Sequence, residues 1–224
     1  MVDHGPVSTL VEYRMLIVES EFLNGHLAAL REEFHSFAAA MESALSACRD
    51  KVVDWKYSVG EALELVPYEH LVPSVLETKG RVLREPTRKE LNSKRLVKHG
   101  LDEGGMPIIE IRRLDADVER YGELVRFISG DVIVSCHLFD NEKHRNRLMS
   151  LTRVIRQSDA VHYVSANPPH HWAVRSDQLL GSRISRSSIM ATSWYKQMDY
   201  DFVYGTTGRL DAILIGDHTH WSAE

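Results

Sequence analysis

The sequence predicts an α+β fold, with a helical N-terminal half built around one long amphipathic helix and packed on an antiparallel C-terminal sheet. Three observations predict it. Leu23, Leu27, Leu30, Phe34, Phe37, Met41, Ala44 and Cys48 recur at alternating spacings of four and three, an apolar stripe on one helical face. No proline interrupts Thr9 to Asp50. From Pro107 onward the texture changes to short β-type runs separated by turn residues. A sheet with one apolar face needs a cover, so residues 1–105, mainly helical, and 106–224, mainly antiparallel β, are expected to share one core as a single unit. At 224 residues the chain is long enough to bury roughly 70% of its unfolded surface.

Thr9-Leu10-Val11-Glu12 reads as a capping box that starts the helix, although the short apolar run Tyr13 to Val18 is also compatible with a strand. An unbroken helix over residues 9–50 would be about 60 Å long, whereas a globule of this size is about 45 Å across. Either the helix breaks at Asn24-Gly25, the preferred reading, or it projects and its stripe from Leu23 to Cys48 pairs with a second copy in a homo-oligomer. Lys51 to Val66 reads as a short strand followed by a helical turn, and Ser74 to Leu83 as a strand. Thr87-Arg88-Lys89-Glu90 after Pro86 is a second capping box, with Lys98 and His99 in the last turn of the expected helix and Gly100 just past it. The expected strands beyond are Ile108 to Leu114, Glu123 to Ile128, Val132 to Phe139, Ala160 to Ser165, Tyr200 to Tyr204 and Leu210 to Ile215, while Arg147 to Gln157 is compatible with a helix.

Tyr200-Asp201-Phe202-Val203-Tyr204 followed by Gly208-Arg209-Leu210 resembles one unit of the tyrosine and aspartate repeats of large bacterial wrapping toxins. Alternating aromatics, a glycine turn and a return strand account for the match without a family.

Composition narrows the function classes. Purely apolar stretches such as Met15 to Val18 are a few residues long, far short of the ~20 that span a bilayer, so no membrane partner is expected. The N-terminus carries no basic segment leading into an apolar core, and Cys48 and Cys136 are the only cysteines, too few for a disulfide framework. A cytoplasmic protein with reduced cysteines is the expectation.

Charge is segregated. Lys79, Arg81, Arg84, Arg88, Lys89, Lys94, Arg95 and Lys98 are interrupted only by Glu85 and Glu90, a local +6 in a chain of net charge -5, which leaves the remainder at -11. On the expected helix Arg88, Lys94, Arg95 and Lys98 share a face, which predicts an anionic ligand: an acidic protein surface or nucleic acid.

For chemistry, Ser74-Val75-Leu76-Glu77-Thr78-Lys79 resembles the acidic-x-Lys strand of restriction-type nucleases. That resemblance implies Mg²⁺ held by Glu77 and an upstream Asp54, with Lys79 orienting the attacking water; no other cofactor is implied. Asp217-His218-Thr219-His220 places two imidazoles on one side of an extended segment, so His218 and His220, with His170-His171, are candidate metal ligands. Arg156 and His162 have the loose spacing of a helical ribonuclease pair, but Ala160 to Ser165 reads as a strand. Ser182, Ser185, Ser187 and Ser188 beside Arg183 and Arg186 are compatible with anion binding or with a polar strand. Two functions follow: an intracellular macromolecule-binding protein, of the kind of an immunity- or antitoxin-type inhibitor or a defence-associated factor, or a Mg²⁺-dependent nuclease.

Overall fold

The computed structural model describes residues 19–60, 62–63, 80–93, 95–115, 120–129, 132–140, 147–167, 171–192 and 196–223. Their elements run α1 (Glu21–Arg49), β1 (Asp54–Val59), β2 (Arg81–Leu83), α2 (Arg88–Leu91), β3 (Leu96–Leu101), β4 (Pro107–Asp115), β5 (Arg120–Ser129), β6 (Val132–Asp140), β7 (Arg147–Arg156), β8 (Ala160–Asn167), β9 (His171–Leu180), β10 (Arg183–Ala191), β11 (Met198–Tyr204), β12 (Leu210–Ile215) and β13 (His218–Ser222). The strands form a 13-stranded antiparallel sheet in the order β13-β12-β11-β10-β9-β8-β7-β6-β5-β4-β3-β1-β2. From β3 onward each strand lies beside its successor in the chain, and β1 alone is out of turn, inserted between β2 and β3. The α+β class stands. The helical half holds only in part, because residues before 106 also contribute β1, β2 and β3.

Helix α1 is unbroken. Ser20 caps it by accepting from Leu23 N at 3.3 Å, a role expected of Thr9, which lies with its capping box and the run Tyr13 to Val18 outside the described residues. The expected break at Asn24-Gly25 does not occur. Gly25 is exposed, with open space around a notional Cβ, and its helix penalty of about 1 kcal/mol is outweighed by the burial of Leu23 and Leu27 on either side, each worth about 1.5–3 kcal/mol. The stripe from Leu23 to Cys48 packs on the chain's own sheet. Leu23, Leu27, Leu30, Met41, Leu45 and Cys48 are buried against Ile109, Val125, Leu151, Val164 and Val174 of the chain's own sheet. At 1.5 Å per residue the helix is about 43 Å long, enough to cross several strands. Near its start Phe22 packs on the ring of His162, and Arg153 of β7 reaches His26 and Glu33. At its end Cys48 Sγ approaches the carbonyls of Ile108 at 3.9 Å and Arg126 at 3.7 Å on β4 and β5.

The register places a second core on the opposite face. Val154 pairs with Tyr163 while Arg153 pairs with Val164, so successive residues point to opposite sides. Val154, Val161 and Tyr163 join Ile184, Ile189, Tyr200, Phe202, Leu210 and Ile213 in this cluster. Burial on both faces explains why β7 to β10 lack a simple apolar alternation.

The remaining expectations divide by mechanism. The second capping box forms: Thr87 Oγ1 accepts from Glu90 N at 3.3 Å and Glu90 Oε2 accepts from Thr87 N at 2.8 Å. The helix it starts nevertheless ends at Leu91, and Lys98 and His99 lie in strand β3, not in a last helical turn. Pairing of β3 with both β1 and β4 outweighs the local helix signal. The segment Arg147 to Gln157 forms strand β7 over Arg147–Arg156, because its Leu148, Leu151 and Ile155, although at helical spacing, stand among β-branched neighbours with a partner strand on each side. Strand β9, not expected, and β10, where the serine run allowed a polar strand, are joined through Gly181, whose φ of 63° supplies the left-handed backbone that a two-residue hairpin turn requires.

Candidate functional site

The cationic segment lies at the β2 margin of the sheet. Arg81 opens the edge strand β2, Arg84 follows it, and Arg88 and Lys89 stand on the one-turn α2, all of them exposed. Arg81 is ion-paired to Glu90, whereas Arg84, Arg88 and Lys89 have no carboxylate partner among the described residues. Lys94 lies outside the described residues. Arg95 and Lys98 do not share a helical face with Arg88, because they belong to the lead-in and body of β3.

Two glycines shape this margin. A Cβ on Gly100 would stand 3.1 Å from the Trp55 ring and 3.0 Å from Val52, so glycine lets the indole lie flat on β3. Lys98 then sits over that ring at 4.1 Å, a cation–π contact, with Trp55 still 39% exposed. Gly60, at φ 76°, donates to Arg95 O at 2.7 Å, and the Arg95 guanidinium packs where a Cβ would be. Val53, Val82 and Leu91 are exposed on the same margin. Cations, an indole and aliphatic side chains therefore occur together.

The nuclease constellation is not assembled from what is described. Asp54, at the start of β1, is exposed and accepts from Trp55 N at 2.8 Å; Glu77 and Lys79 lie outside the described residues. Of the candidate metal ligands, His218 is exposed, and His220 packs its ring edge-on against Tyr200 at 5.3 Å. His171 is exposed at the start of β9, and His170 lies outside the described residues. Among the described residues no three of His, Cys, Asp and Glu gather to hold a metal ion. The serine-rich run is strand β10, where Ser187 donates to Asp177 at 2.6 Å, Ser185 to Gln178 O at 3.1 Å, and Arg186 to Asp201 at 2.7 Å.

Two serine–histidine pairs, neither evident from spacing, are brought together by strand pairing. The first is fully buried. Ser58 on β1 lies 2.8 Å from Nε2 of His99 on β3, and His99 Nδ1 lies 3.5 Å from Glu110 Oε1 on β4. Glu110 is 1% exposed and accepts from Arg126 at 2.9 Å and Arg112 at 2.8 Å. Burial pushes its carboxyl up, but the Arg126 charge, the contact with His99 and the Arg112 charge outweigh that and hold it well below the usual carboxylate range. Ser58 donates to Gly60 O at 2.8 Å. A hydroxyl has one proton, so His99 must be the donor to Ser58. The proton flow runs away from the imidazole, the reverse of what an attacking serine needs.

The second pair lines an open cleft of about 520 Å³ between the start of α1 and β8 to β10. His162 pairs directly across β8 and β9 with Ser176. Its Nδ1 lies 3.0 Å from Ser176 Oγ and its Nε2 3.3 Å from Gln157 Oε1. Burial lowers the His162 pKa, against the opposing pull of Asp177 and Asp159, which favours the neutral ring. Missing β9 in the sequence hid this pair, and the Gly181-Ser182 turn was the signal that could have revealed it. Compared with family models, curated proteins and solved structures, the chain has no match, so its family stays open and its sites are read from their own chemistry.

Proposed function

We propose that this chain is a macromolecule-binding protein that docks an acidic protein surface on the margin formed by β1, β2, α2 and β3. The observation that carries the reading is the exposed Trp55 under Lys98, flanked by the exposed cations Arg84, Arg88 and Lys89 and by exposed Val53, Val82 and Leu91. Aromatic and arginine anchors beside aliphatic surface are the composition of protein–protein hot spots. Aliphatic side chains have no counterpart in a phosphate backbone, so an acidic protein fits better than nucleic acid. An immunity- or antitoxin-type inhibitor is a protein of this kind.

The test captures partners from native lysate on the unmodified chain and on a triple variant Arg84→Glu, Arg88→Glu, Lys89→Glu. The expected result is an acidic protein retained at 50 mM salt, released as salt rises, and not retained by the variant. A nuclease-sensitive partner, or equal capture by both forms, overturns the reading.

A further inference from the structure

The cleft between α1 and β8 to β10 is separate from the β1–β3 margin and has its own chemistry. Gln157 Oε1 accepts from His162 Nε2, so Nε2 carries the proton and Nδ1 is left as an acceptor. Ser176 Oγ, 3.0 Å away, then donates to Nδ1. Unlike Ser58, whose proton goes to a backbone carbonyl, Ser176 has the imidazole as its hydrogen-bond partner among the described residues. Both Ser176 and His162 line the cleft. The cleft also contains the first turn of α1, with Ser20, Phe22 and Leu23. The Leu23 amide is taken by Ser20, while the amides of Glu21 and Phe22 are first-turn donors with no acceptor within the helix. Phe22 packs edge-on against the His162 ring at 5.6 Å, and with Leu179 it gives the cleft an apolar wall.

We propose that Ser176, His162 and Gln157 form a nucleophilic relay that hydrolyses small carboxylic esters with a short apolar acyl group. The Ser176 oxygen attacks the acyl carbon while its proton passes to His162 Nδ1. The first turn of α1, whose leading amides lack acceptors within the helix and whose residues wall the cleft, is assigned to the oxyanion that forms. The bond to the leaving oxygen then breaks, and His162 returns the proton to the departing alcohol. Water, giving a proton to the same nitrogen, adds to the acyl carbon; the bond between that carbon and Ser176 Oγ breaks, the carboxylic acid leaves, and His162 returns the proton to Ser176. Gln157 is a positioning residue that acts through His162 by fixing which nitrogen holds the proton.

The experiment treats the full chain with diisopropyl fluorophosphate and maps the adduct by mass spectrometry, then follows turnover of p-nitrophenyl butyrate. The expected result is a single adduct on Ser176. With Ser176→Ala, kcat/KM falls by about 100-fold or more, and with Gln157→Leu, kcat falls at little change in KM. The pH–rate profile of the unmodified chain should rise through a pKa below 6.5, the direction in which burial moves His162. Because Ser176 is buried in the sheet and its alanine variant can fail to fold, adduct mapping on the unmodified chain decides. No adduct, or an adduct on another residue, overturns the proposal.

Discussion

Glu110 carries the largest electrostatic burden of any single residue described. It is a fully desolvated carboxylate held by Arg126, Arg112 and His99. Removing its charge leaves the Arg126 guanidinium buried without a counter-ion, a loss of about 3–5 kcal/mol. Glu110→Gln is therefore expected to lower the urea midpoint markedly at neutral pH. A stability equal to that of the unmodified chain would show that Arg126 is solvated. The sign of the pH effect follows from the depressed carboxyl: its stabilisation is complete above the ordinary value of about 4.5 and is lost as pH falls below it. His162 and His26 act in the same direction at higher pH. Burial lowers the pKa of each below 6.5, so the unfolded chain binds protons first on acidification. Stability should decline between pH 7.5 and 5.5, and His162→Gln should flatten that decline in urea titrations at both pH values.

These residues also mark the limit of what the sequence discloses. The cationic run from Lys79 to Lys98 is legible as composition, because counting charges needs no fold. Ser58 with His99, and Ser176 with His162, are separated by 41 and 14 positions, and only strand register brings each pair into contact. His99 in particular reads as a helix-terminal residue until β3 is seen to be a strand.

At the scale of elements, local signals succeeded where one face alone is buried and failed where neighbours decide. The stripe of α1 and the alternation of β11, with Tyr200 and Phe202 buried, match single-faced burial. In β9, Arg175, Ser176 and Asp177 are all buried in succession, with Arg175 bridged to Asp177 at 2.6 Å on the reverse face, so polar residues occupy positions a simple pattern reserves for apolar ones. Near Gly25 the reasoning from globule diameter predicted a break, but a helix lying obliquely across a wide sheet has no need of one. Leu30, at 0% exposure, is the measure of that packing. Leu30→Ala should cost about 2–5 kcal/mol, with the elution volume in size exclusion unchanged, as expected of a face closed by the chain's own strands. A shift to a smaller assembly would show that the same face also holds copies of the chain together. Gly100→Ala should push the Trp55 ring back from β3 by a few tenths of an ångström, visible as a small shift in tryptophan fluorescence, because the added methyl would meet the ring at 3.1 Å.

For the whole molecule, the expectation of helix covering antiparallel sheet is met, while the extent of the sheet was not legible. It begins at β1, well before residue 106, and its two cores lie on opposite faces. No described helix is long and apolar enough to cross a membrane. If the β1–β3 margin is where an acidic protein docks, association should slow steeply as ionic strength rises, since steering fades with the Debye length. Stopped-flow binding with the captured partner at 50 and 200 mM salt reads this directly.

The helix that spans the sheet also sets a condition on biosynthesis. It leaves the ribosome before any described strand, yet the strand that shelters its opening turns, β8, ends more than a hundred residues later. At 5–20 residues per second that is roughly ten seconds during which a nascent chain presents a leucine-rich ridge to solvent or to whatever holds it, so the yield of native protein should depend on how quickly translation delivers β4 to β8.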